Sequence, residues 1–121
     1  MKKTKKILLG VVLLLTLAGM NVFAASFNFS FPTGSTGIGG NGYTSGSSSV
    51  YVSMNGGNLT NTRYINVWGA NNAGSHITGT NVLSSSSTFF FLPYTSSYSG
   101  NVFLWGNPSS PGASAYGYFE P

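Results

Sequence analysis

From residue 26 onward, apolar side chains recur with a period of two, and no stretch holds the 3.6-residue period of a helix. Ser26–Phe31 reads SFNFSF, with Phe27, Phe29 and Phe31 on one face and Ser26, Asn28 and Ser30 on the other. That is the pattern of a half-buried strand, and Pro32 stops it. Ser48–Met54 alternates again, Val50, Val52 and Met54 pointing inward. Asn55-Gly56-Gly57-Asn58 has the chemistry of a hairpin turn, so Thr62–Trp68 is predicted to return beside it. Thr33–Ser47 is rich in Gly, Ser and Thr and reads as a long loop with a short edge strand near Tyr43.

Gly69–Gly74 is a second turn, and Ser75–Leu83 carries a weak strand through Ile77 and Val82. Thr88–Leu92 (TFFFL) and Asn101–Trp105 (NVFLW) are apolar on both faces, as expected of central or covered strands. Gly106–Gly112 reads as a rigid connection, and Ala113–Phe119 as the last strand. Six to seven short strands between turn residues predict an all-β fold, an antiparallel β-sandwich or small barrel.

Residues 1–24 read as a secretory signal peptide. Lys2, Lys3, Lys5 and Lys6 precede an apolar run from Ile7 to Gly19, and Val22 and Ala24 are the small residues a peptidase requires. Cleavage between Ala24 and Ala25 would leave residues 25–121 as a single domain. The apolar run would extend only about 20 Å as a helix, against about 30 Å of hydrocarbon, so no stable membrane anchor is expected after processing. The chain has no Cys for a lipoprotein anchor or a disulfide. Leu92-Pro93-Tyr94-Thr95-Ser96 approaches a wall-sorting motif but has Ser96 in place of Gly, and Pro93 reads as a strand-end residue. The predicted location is extracellular, and the Lys-rich start without cysteines suggests a bacterial source.

The leader also explains the basic isoelectric point of about 9.6. Beyond it the chain keeps one base, Arg63, one acid, Glu120, and one histidine, His76. Nucleic-acid binding requires several Lys or Arg against phosphates, so that class is excluded. Paired-carboxylate hydrolysis requires two acids, a metal centre three or four ligands, and a serine nucleophile a base with its own orienting group. The expectation is therefore no enzyme, no cofactor and no metal. His76 reads as a surface-loop histidine, and Arg63 as a residue that lies along the hairpin or pairs with Glu120.

Aromatic residues remain as candidates. Tyr64 and Trp68 share one face of a strand, with Tyr51 their expected neighbour across the hairpin. With Asn66 beside them they form either an exposed surface that stacks on sugar rings or meets a partner, or a core face covered by a second sheet; a two-layer fold favours the core. Tyr94, Tyr98, Tyr116 and Tyr118 lie among Gly and Ser and are expected at the surface.

The order FNFSF, SVYVSM, RYINVW, NVFLW and the closing Tyr116-Gly117-Tyr118-Phe119-Glu120 resembles a group of short secreted bacterial proteins known only as a domain of unknown function. The general style is similar to secreted β-sandwich bacteriocins of the lactococcin 972 type. The resemblance implies secretion and a β fold and carries no catalytic residue; relatives often end on an aromatic followed by several acids, where this chain has Glu120 alone. Three functions follow as expectations: a non-enzymatic binding domain at a cell envelope with cell-wall polysaccharide or another envelope component as partner, a secreted antibacterial protein, or a self-associating matrix or fibre component.

Overall fold

The computed structural model describes residues 24–121. The predicted leader lies outside them except for Ala24, which is exposed immediately before the first strand. Eight strands follow among the described residues: β1 (Ala25–Phe31), β2 (Gly37–Thr44), β3 (Ser49–Gly57), β4 (Ile65–Ala70), β5 (His76–Leu83), β6 (Phe89–Pro93), β7 (Gly100–Pro108) and β8 (Ala113–Glu120). They form two four-stranded antiparallel sheets, ordered β1-β8-β3-β6 and β2-β7-β4-β5.

One hydrophobic core lies between the sheets. The first contributes Phe27, Phe29, Phe31, Val50, Val52, Phe90, Leu92, Ala113, Ala115 and Phe119; the second contributes Ile65, Val67, Leu83, Val102 and Leu104. Phe27, Phe29, Phe31, Val50 and Val52 are inward positions of the alternation read from the sequence, while Met54 is only partly buried against the core. The aromatic bulk is one-sided, because every phenylalanine in this core belongs to the first sheet.

Glycine makes room for it. On β2 the inward positions before Thr44 are glycines, broken by a register shift between Ile38 and Gly40. A Cβ on Gly39 would stand 2.5 Å from the Phe29 ring, and one on Gly40 would stand 2.5 Å from the Ser26 carbonyl oxygen and 2.8 Å from the Phe119 ring. Gly106 on β7 meets the Phe29 ring in the same way, at 2.7 Å. This is why the segment that reads as a loop is an eight-residue strand. Glycine is depleted in strands for lack of side-chain packing, but here the packing partner is the ring from the opposite sheet.

The predicted β3–β4 hairpin does not form. β3 pairs with β6 and β8, and β4 with β5 and β7, so the connection crosses between sheets. Gly56 and Gly57 stay in β3 beside a bulge against β8. Asn58 then anchors the exit: its Nδ2 donates to the Gly112 carbonyl at 2.8 Å and its Oδ1 accepts from the Ser114 amide at 2.8 Å. Among the described residues only β4 and β5 are consecutive strands of one sheet. Their turn is closed by Asn71, whose Oδ1 accepts from the amides of Ala73 and Ser75, and by Gly74 at φ 81°.

The sheet edges lie against one another. At one side the Ser26 carbonyl of β1 abuts Gly40 of β2. At the other, Thr78 bridges to Tyr94, and the Thr95 amide donates to the Ile77 carbonyl at 3.0 Å. Exposed edges invite pairing with other chains, and here the edges are covered without charged residues. β6 is nonetheless an edge strand with Phe89 and Phe91 exposed, neither the central nor the covered strand predicted, and Pro93 ends it as expected.

Gly40→Ala is expected to lower stability by about 1–3 kcal/mol, since the backbone oxygen of Ser26 cannot yield as a side chain would. Gly34→Ala, with no atom within 4 Å of the added carbon, is expected to stay within about 0.5 kcal/mol. Denaturant unfolding of the two variants checks this contrast.

Candidate functional site

Burying one face of each sheet leaves two outward faces, and both carry aromatic side chains. The sequence-predicted trio is divided between them. Tyr51 lies on β3 in the first sheet and Trp68 on β4 in the second, while Tyr64 is half-buried just before β4 with its amide donating to Ser109 Oγ at 2.9 Å. Only a β3–β4 hairpin would join the trio, and it separates because that hairpin does not exist.

On the first sheet, Tyr51 stands opposite Phe91 and Glu120, and Ser53 opposite Phe89 and Tyr118. The Tyr51 ring lies 5.0 Å from Phe91 and 6.1 Å from Tyr118, both tilted. Phe89 and Phe91 are 64% and 60% exposed, because alternation on an edge strand with only Phe90 and Leu92 inward must direct them to solvent. Tyr116, opposite Asn28, extends the patch. Desolvation by its neighbours pushes the Tyr118 hydroxyl above the ordinary tyrosine range, with Tyr51 and Glu120 adding to the shift and a Ser53 hydrogen bond opposing it.

On the second sheet, Trp68 stands directly opposite Trp105, which stands opposite Ile38. The two indoles are nearly parallel at 8°, with centroids 6.4 Å apart. His76, the first residue of β5, stacks on Trp68 at 4.7 Å and 7°. The three rings therefore lean on one another in one row. Asn107 and Asn66 form the next rung on the same face; Phe103 faces Asn41, and Tyr43 faces Asn101. The sequence places Trp68 correctly on a strand but does not single out Trp105. Extending the parity of NVFLW to Asn101, Phe103, Trp105 and Asn107 would find it, since the flanking amides mark the solvent side. His76 is exposed but belongs to a strand, not a loop.

Away from both faces, an open cleft of about 700 Å³ is lined by Gly46, serines, Tyr94 and Tyr98. Tyr94 and Tyr98 stack at 6.1 Å, and Tyr94 donates its hydroxyl to the Pro121 carbonyl at 3.0 Å. Burial pushes the Tyr94 hydroxyl above its usual range, opposed by a Thr44 hydrogen bond. Both tyrosines are half-buried, as is Tyr118, so of the four tyrosines expected at the surface only Tyr116 is well exposed. Arg63 directs Nη1 to the Asn58 carbonyl at 3.4 Å. Among the described residues no group of three His, Cys, Asp or Glu could hold a metal ion.

No family model matches the chain, and no curated protein or solved structure matches it either. What the geometry defines is a class: an all-β domain of two antiparallel sheets whose outer faces are aromatic and nearly uncharged.

Aromatic pairs contribute about 0.5–1.5 kcal/mol beyond area burial. A double-mutant cycle on Trp68→Ala and Trp105→Ala is expected to return a coupling of that size. Additivity within about 0.3 kcal/mol would show that the rings are independent.

Proposed function

We propose that this protein is an exported, non-enzymatic β-sandwich domain that binds a component of a cell envelope through aromatic and amide contacts. The observation that carries this reading is the outward placement of large rings on both sheets of a domain that has one base and one acid beyond residue 24. Large exposed apolar patches mark interaction surfaces, and phenylalanines at 60–64% exposure on β6 leave most of their apolar area in water. The leader sequence supports a site of action outside the cell membrane, and the scarcity of ionisable groups supports binding over catalysis.

A second reading, self-association into a matrix or fibre, is favoured by Phe89 and Phe91 on an uncharged edge strand. The mutual covering of the sheet edges works against it. An antibacterial outcome would be a special case of envelope binding with a lethal consequence.

Centrifuging the purified protein with and without isolated bacterial cell walls separates the readings. Envelope binding predicts pelleting only when walls are present. Pelleting alone would favour assembly, and a protein that stays soluble in both tubes would contradict both readings.

A further inference from the structure

We propose that the outer face of the β2-β7-β4-β5 sheet binds an uncharged glycan chain. The inference deepens the envelope-binding reading and rests on it.

A sugar ring offers an apolar C–H face and a rim of hydroxyls, each both donor and acceptor. A surface that recognises it must supply aromatic carbon and neutral hydrogen-bonding groups side by side. This face has that composition rung by rung: Ile38, Trp105 and Trp68 on the central one, Asn107 and Asn66 on the next to one side, and Phe103 with Asn41, then Tyr43 with Asn101, to the other. A carboxamide presents two donors and an acceptor, which matches a hydroxyl in either sense.

Asn58, Asn61 and Asn71 in connections and Asn81 on β5 hold neighbouring backbone or side-chain groups with their amides. The amides of Asn41, Asn66, Asn101 and Asn107 have no hydrogen-bond partner among the described residues. Asparagine is disfavoured in strands, so four within the strands of one face provide unused polar groups next to rings.

Charge identifies the polymer. The face has no Asp, Glu, Lys or Arg; Arg63 lies in the β3–β4 connection and Glu120 on the other sheet. An anionic polymer would find no Lys or Arg here, whereas a neutral glycan requires none. The mutual stacking of His76, Trp68 and Trp105 also fixes the rings before binding, which reduces the ordering cost of association. The ring faces inside that row are occupied by one another, so the sugar meets the edges of the row and the open surface between it and the amides.

The chain has two tryptophans and both stand on this face, so indole emission reports on it alone. The protein, purified as its host processes it, is titrated with cellohexaose, chitohexaose and maltohexaose, with hexagalacturonate as the charged comparison. Sedimentation with cell walls freed of protein and anionic polymers runs in parallel. The expected result is an emission shift and protection from acrylamide quenching with at least one neutral oligosaccharide and none with hexagalacturonate. The Asn66→Ala/Asn107→Ala variant, which keeps both reporters, should bind about tenfold more weakly through loss of two hydrogen-bonding groups, while Phe89→Ser/Phe91→Ser should bind as before. Wall binding that survives the asparagine variant and is lost in the phenylalanine variant would overturn this inference and leave the envelope reading standing. Response to neither oligosaccharides nor walls would overturn both.

Discussion

The fold depends on the packing of phenylalanine rings against bare backbone. Phe29 and Phe119 project from the first sheet onto Gly39, Gly40 and Gly106 of the second, where a single added carbon would stand within 3 Å of a ring. Sheets usually meet through interdigitating side chains from both inner faces. In this domain one sheet supplies the bulk and part of the other supplies the space. A domain with no disulfide and almost no charge has few other sources of stability, and this complementarity lets a short chain bury large rings. It also brings β2 against β1 closely enough to cover both edges, which a strand with ordinary inward side chains could not do.

Much of this architecture was legible in the residues. The alternation in SFNFSF and SVYVSM marks the inward set on β1 and β3, and Gly69–Gly74 is recognisable as a turn because Asn and Gly close it by known chemistry. Of β2 only the edge strand near Tyr43 was legible, because the run of inward glycines before Thr44 shows no hydrophobic period; its signal lies in the rings of another strand. The Asn-Gly-Gly-Asn segment misleads for a related reason. Its glycines serve a bulge and a crossing between sheets, and the positive φ of 148° at Gly57 accompanies a strand end instead of a reversal. TFFFL looks central because both parities are apolar, yet its outer phenylalanines face solvent at an edge.

The candidate site was half legible. Trp68 beside Asn66 suggests an aromatic–amide surface, and the strand that carries them does present both outward. Its true neighbours, Trp105 and His76, come from β7 and β5, and no local pattern connects residues 68 and 105. Sheet order is a long-range property, and strands linked mostly by crossings between sheets leave little of it in the local sequence. The alternative that the face is core fails because the core requires only one face of each sheet.

The two outer faces differ in kind. The first is phenylalanine and tyrosine with Asn28 and Glu120, suited mainly to apolar contact; the second interleaves rings with four unused amides, and it is the face assigned to the glycan. The indole N–H groups of Trp68 and Trp105 provide two isolated signals in a proton–nitrogen correlation spectrum, and the backbone amides of β4 and β7 surround them. Chemical-shift mapping during addition of a bound neutral oligosaccharide is the most direct measurement. Glycan binding on the second face predicts the largest changes at both indoles and at the side-chain amides of Asn66, Asn101 and Asn107, with β6 and β8 unmoved. Changes centred on Phe89, Phe91 and Tyr51 instead would contradict it.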